Sequence, residues 1–117
     1  MTTPIKISFS YPRRGLFGDF ATFRLGSGAA EKHPPGTAVE LIDSRSKRTI
    51  KLAIVTAVYV GTLSDMATQH AHMAHNWKES PPGQRNALLV ASMKKRYPPG
   101  RCSDNSICTV IYLKETP

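Results

Sequence analysis

The chain has 117 residues, 40% of them hydrophobic, and its 16 Lys and Arg outnumber 8 Asp and Glu to give a formal net charge of +8. That length suits one domain, so residues 1–117 are expected to fold as a single unit around one core without a metal or disulfide staple. No apolar run approaches the ~20 residues of a bilayer span, and the first twenty residues lack the charge order and apolar stretch of a secretory signal, so a cytoplasmic, non-membrane protein is expected.

The first element is a half-buried strand over residues 4–10, where Ile5, Ile7 and Phe9 alternate with Lys6, Ser8 and Ser10. A basic loop over 11–19 carries Arg13 and Arg14. A second strand follows near 20–25. Successive side chains on a strand face opposite ways, so Thr22 and Arg24 project together, opposite Phe23 and Leu25. Pro-Pro-Gly triplets at 34–36, 81–83 and 98–100 are spaced by 47 and 17 residues, which marks turns and not a repeat. Strands come next near 38–43 and 49–60, joined by the polar turn Ser44-Arg45-Ser46-Lys47-Arg48.

After Gly61 the period changes to that of a helix. Thr62 or Ser64 can cap it, Asp65 supports the first turn, and Leu63, Met66, Ala67, His70, Ala74 and Trp77 fall on one stripe. A second helix over 85–96 sets Leu89, Val90, Met93 and Tyr97 against Lys94 and Lys95. A last strand runs from Ile107 to Leu113. The order β-β-β-β-α-α-β is read as α+β, with the segments before residue 61 following one another as hairpins.

His70, His72 and His75 lie close in sequence, but at 100° per residue one helix does not aim all three at one ion. His33, on another loop, is the fourth histidine. Cys102 and Cys108 lack a second pair for a zinc site and are read as free thiols. No metal and no cofactor is expected. The cations fall into local groups: Arg13-Arg14, Arg45 with Lys47-Arg48, Lys94-Lys95-Arg96, and Arg101. Such groups contact phosphates without reading sequence, and Tyr11, Phe17, Phe20 and Tyr97 beside them could stack bases. A solvated charged face over core aromatics is the plain counterpart, since charge argues for partners and not for fold.

These elements resemble the ASCH domain family, within the PUA-like superfold. The residues that carry the likeness are Thr22-x-Arg24, then Pro35-Gly36-x-x-Val39-x-Leu41, the strand around Ala53 to Val58, the Leu63-Ser64-Asp65 helix start, and the ending from Tyr97 to Thr109–Leu113. The likeness spans nearly the whole chain. It implies a small PUA-like β-barrel with two helices packed on it, and a cleft lined by the family's Gly-x-Lys-x-x-Thr-x-Arg residues. Here Thr22 and Arg24 keep the second half of that motif, Asp19 stands at the lysine's place, and Gly18 is one position nearer Thr22 than the motif has it. In family members resembling acylcytidine amidohydrolases a glutamate completes the site. Its place here falls around His75-Asn76.

On that resemblance Thr22, Arg24 and His75 are the candidate catalytic residues: a hydroxyl, a cation for developing negative charge, and a base at neutral pH. Thr22 as an ordinary strand residue and Arg24 as a structural arginine stand beside those roles. The candidate nucleic-acid contacts are Arg13, Arg14, Arg24, Arg48, Lys94, Lys95, Arg96 and Arg101. A monomer that binds RNA or a nucleotide-derived ligand is the expectation. The alternatives are a hydrolase of modified nucleosides or a ribonuclease, and a small interaction or inhibitor protein with a protein partner.

Overall fold

Alternation of apolar side chains builds two cores, one on each face of a single curled sheet. The structure, a computed structural model, describes residues 5–9, 16, 18–75, 77–78, 80–81, 83–97 and 100–116. Tyr11, Arg13, Arg14, Phe17 and Asn76, singled out above, lie outside the described residues, as do Pro82, Pro98 and Pro99. The elements are β1 (Ile5–Phe9), β2 (Asp19–Leu25), α1 (Gly28–Lys32), β3 (Ala38–Asp43), β4 (Thr49–Thr62), α2 (Leu63–His70), a 3₁₀ turn (Ala71–Met73), α3 (Arg85–Arg96) and β5 (Ile107–Glu115). No helix among the described residues is long and apolar enough to cross a membrane.

The strands lie in the order β1-β3-β4-β5-β2, with β1 parallel to β3 and every other pair antiparallel. The sheet curls into a half-barrel. Its inner face is filled by Phe9, Phe20, Leu41, Val55, Ile111 and Leu113, which pack on one another. On the outer face Ala21, Phe23, Cys108 and Val110 meet Leu63, Met66, Leu89 and Met93 of α2 and α3. The α+β class and the helix pair on a barrel-like sheet are as the sequence predicts.

Strand β4 spans the half-barrel because it bends. A register shift between Val55 and Ala57 adds a residue, so that Ala53, Val55 and then Val58 all reach the inner core. Such a bulge raises local twist and lets a long strand wrap a small barrel. At its end Gly61 lies so close to α2 that a β-carbon there would meet Met66 Cε at 2.9 Å. Thr62 Oγ1 then accepts from the Asp65 N–H at 3.2 Å and caps α2 as its sequence implies. The free N–H groups of Leu63 and Ser64 donate to Ser106 and Asp104 carbonyls, at 2.8 and 2.9 Å.

Two expectations are corrected. Among the described strands only β3 and β4 form a consecutive hairpin. β1 pairs with β3, and β2 crosses the sheet to pair with β5, at the far edge. Alternation encodes which face a residue buries but not which strand lies beside it, so chain order was a poor guide to neighbours. The sheet is correspondingly an open half-barrel with two edges and not a closed one.

The helix expected to run to Trp77 ends at His70 and tightens over Ala71–Met73. Ala74 turns extended and forms a parallel bridge to Ala21, while the His75 N–H donates to the Ala21 carbonyl at 2.9 Å. The free edge of β2 has main-chain groups to satisfy, and this connection satisfies one of them in place of a further helical turn. The Leu25 N–H on the same edge donates to Tyr97 Oη at 3.4 Å.

Ile111 is fully buried on the central strand β5, whereas Leu52 is 53% exposed. Ile111→Ala should lower unfolding free energy by about 2–5 kcal/mol, and Leu52→Ala should change it by under roughly 0.5 kcal/mol. Urea denaturation of both variants checks the contrast.

Candidate functional site

Both candidate clefts are built on β2. Phe20, Thr22 and Arg24 share its inner side, and Phe20 joins the inner core there. The Ala74–His75 connection along the free edge of β2 brings the His75 ring edge-on to Phe9 at 5.0 Å and to Phe20 at 6.5 Å. The Arg24 guanidinium lies over the other partner of that group, 5.2 Å from the Phe9 ring centre. Thr22, Arg24 and His75 are thus gathered around two phenylalanines, from three places in the sequence.

They do not all open into one space. Thr22, only 2% exposed, shares a hollow of about 30 Å³ with His75, Trp77, Ser92, Met93 and Arg96. That volume holds about a water molecule and no nucleoside. Arg24 instead lines a cleft of about 400 Å³ with Lys6, Ser8, Lys32 and His33, a size suited to a small ligand.

This larger cleft is the seam of the half-barrel. β1 and β2 are the two edges of the sheet, and among the described residues they are joined by a side chain and not by a ladder: Arg24 Nη2 donates to the Ser8 carbonyl at 2.8 Å. Helix α1, which sequence reading took for a loop, closes one end and supplies Lys32, with His33 as its C-cap. Nε of Arg24 and Nδ1 of His33 are both buried without a hydrogen-bond partner. Burial lowers Arg24 to about 10, assisted by Arg96 and opposed by Tyr97, so it remains charged at neutral pH. Burial, then Arg24, then Lys32 hold the His33 imidazole below its ordinary value.

The other predicted contacts are dispersed. Arg96 lines the Thr22 hollow. Lys94 is paired with Asp104 at 2.8 Å, and Lys95 is exposed on α3. Arg48 is exposed in the turn between β3 and β4, and Arg101 in the loop before β5. Neither lines either cleft. Asp19 opens β2 exposed, and its carbonyl accepts from Lys78 Nζ at 3.2 Å, so a cation reaches that end of the strand.

Sequence reasoning missed Lys6, Lys32 and His33 as lining of this cleft, and Lys78 at the end of β2. Lys6 had a signal, as the one charge on the polar side of its strand. The others depend on α1 and on the Ala74–His75 turn, which no local pattern announced. Of the remaining histidines, His70 is buried and bonded through Nδ1 to Tyr112 Oη at 2.7 Å, with Tyr59 stacked on it at 4.6 Å, while His72 is exposed. Cys102 and Cys108 are free and buried, and burial raises Cys108 to about 11.

Comparison with protein families, with characterised proteins and with solved structures finds no match for this chain.

Burial holds both His33 and His70 below the ordinary imidazole value of 6.5. The unfolded chain therefore takes up protons that the folded one refuses as pH falls through that value. Stability should be full above it and decline between pH 7.5 and pH 5.5. Glu115, held low by its bond to Lys51, titrates below that window. Urea titrations at the two pH values should show the decline, and His33→Gln with His70→Gln should flatten it.

Proposed function

We propose that this chain is a cytoplasmic RNA- or nucleotide-binding domain of ASCH, PUA-like type, acting as a monomer, with its ligand in the cleft that Arg24 lines and Thr22 in the smaller hollow nearby. The observation that carries this reading is the buried, charged Arg24 guanidinium. It sits in a cleft of about 400 Å³ with Lys6, Lys32 and His33, and no carboxylate is among the described residues that line it. A buried charge without a counter-charge is costly and calls for an anion. The net charge of +8 adds long-range attraction for a polyanion. The Thr22-x-Arg24 likeness points the same way.

A second reading, hydrolysis of a modified nucleoside, has one observation in its favour: Thr22 and His75 line the same hollow. The hollow's volume of about 30 Å³ weighs against turnover there, because a substrate amide has no room beside the hydroxyl.

Fluorescence anisotropy with a labelled single-stranded oligoribonucleotide separates the two. Binding predicts an affinity that falls with salt at a log–log slope of roughly −0.7 per engaged phosphate. Arg13→Ala with Arg14→Ala, and Arg96→Ala, should weaken it and shallow the slope, with the RNA recovered intact. Hydrolysis predicts RNA fragments, or acetate from acetylcytidine, lost in Thr22→Ala. Salt-independent retention, or none at all, would overturn the binding reading.

A further inference from the structure

The geometry points to the seam cleft as a binding site for a phosphate monoester, the terminal phosphate of a nucleotide or of an RNA end, held between β1, β2 and α1. The inference deepens the proposed function and rests on it for the carrier of the phosphate, but the phosphate site itself rests on the cleft alone.

Four nitrogen donors from three elements border this space: Lys6 on β1, Arg24 on β2, Lys32 on α1, and His33 at its end. Two of them are unusual. His33 is only 8% exposed, yet its Nδ1 has no partner, and Nε of Arg24 is likewise buried and unpartnered. The third guanidinium direction, through Nη2, is spent on a neutral backbone carbonyl, that of Ser8 at 2.8 Å. An oxyanion offers the guanidinium a full opposite charge that the neutral Ser8 carbonyl lacks, in the short, bidentate geometry that suits arginine. An anion in the cleft is therefore a competing partner for Arg24 Nη2.

That exchange is open to the fold because no ladder joins β1 to β2 across the seam among the described residues. Widening it costs that side-chain bond, the Arg24–Phe9 stack and part of the inner-core packing that Phe9 shares with Phe20. The charge balance selects the monoester. Three cations and an imidazole suit a group carrying about −1.5 to −2 at neutral pH with three terminal oxygens. An internal phosphodiester offers one charge and two such oxygens. Burial is the main cause of the depressed basicity of His33, and Arg24 and Lys32 add a smaller part that a dianion in the cleft would offset.

The test is a titration of the ¹⁵N-labelled full chain, followed by NMR at the Arg24 Nε–H and His33 ring nitrogens. The probes are inorganic phosphate, adenosine 5′-monophosphate, adenosine, and the dinucleoside monophosphate ApA, whose one phosphate is a diester. Phosphate and the monophosphate should shift both residues, with adenosine and ApA leaving them in place. Tighter binding of the monophosphate than of phosphate assigns a nucleotide. Equal binding assigns the free ion.

His33→Gln should weaken the monophosphate roughly tenfold. Lys6→Ala with Lys32→Ala changes only exposed side chains, keeps the fold, and should weaken it similarly. Unmoved resonances, equal binding of ApA, or unchanged affinity in the lysine pair would overturn the inference. Salt-dependent RNA binding that phosphate does not compete would sink it while leaving the RNA reading standing. Phosphate binding without any RNA binding would do the reverse.

Discussion

Two sheet edges that lie close without pairing are the constraint on which this structure depends. The half-barrel has β1 at one end and β2 at the other. Unpaired edges expose main-chain donors and acceptors that must be met by something. The edge of β2 is met by Ala74, His75 and Tyr97. Across the gap the bridge is Arg24, reaching the Ser8 carbonyl and stacking on Phe9. A charged side chain in a structural seam is a poor glue by itself, since desolvation opposes it. The same chemistry makes it a good receptor.

The last strand organises the rest. β5 lies between β4 and β2, so the C-terminal element completes both cores: Cys108 and Val110 on the helix side, Ile111 and Leu113 inside. Its neighbour β2 lies more than eighty residues earlier in sequence, with Leu25 opposite Cys108. Contacts of such separation carry a loop-closure cost before they are rewarded, and a fold dominated by them forms late. The seam shares that dependence, because β5 is the only strand with which β2 pairs among the described residues.

Function follows from how the charge is distributed. Most of the described cations are solvated: Arg48 in a turn, Lys94 paired to Asp104, Lys95 and Arg101 exposed. Exposed charges of this kind steer and retain a polyanion but are screened within about 10 Å in salt. Arg24 and His33 differ because each has a ring or guanidinium nitrogen shut off from water without a partner, His33 being buried and Arg24 half-buried. Burial is what converts a basic surface into a site with geometry.

Strands near 4–10, 20–25, 38–43, 49–60 and 107–113 were legible from alternation or β-branched content, and α3 from its apolar stripe opposite Lys94 and Lys95. That Thr22 and Arg24 share a side of β2 was legible too, because the pleat has a period of two whatever lies next to it. The PPG turn at Gly36, with φ of +91°, and the Thr62 cap of α2 were local chemistry of the same kind. Local steric rules act within a few residues, so the sequence by itself determined the five strands, their buried faces, the start of α2 and the span of α3.

Only the tertiary structure decided the neighbours. It set β1 parallel to β3 and sent β2 to the far edge. It cut α2 short so that His75 could reach the edge of β2, and it folded α1 over the seam to bring Lys32 and His33 beside Arg24. These outcomes turn on which of several compatible apolar faces meet and which free main-chain groups need a partner. Both are properties of the whole packed chain, and no window of sequence contains them.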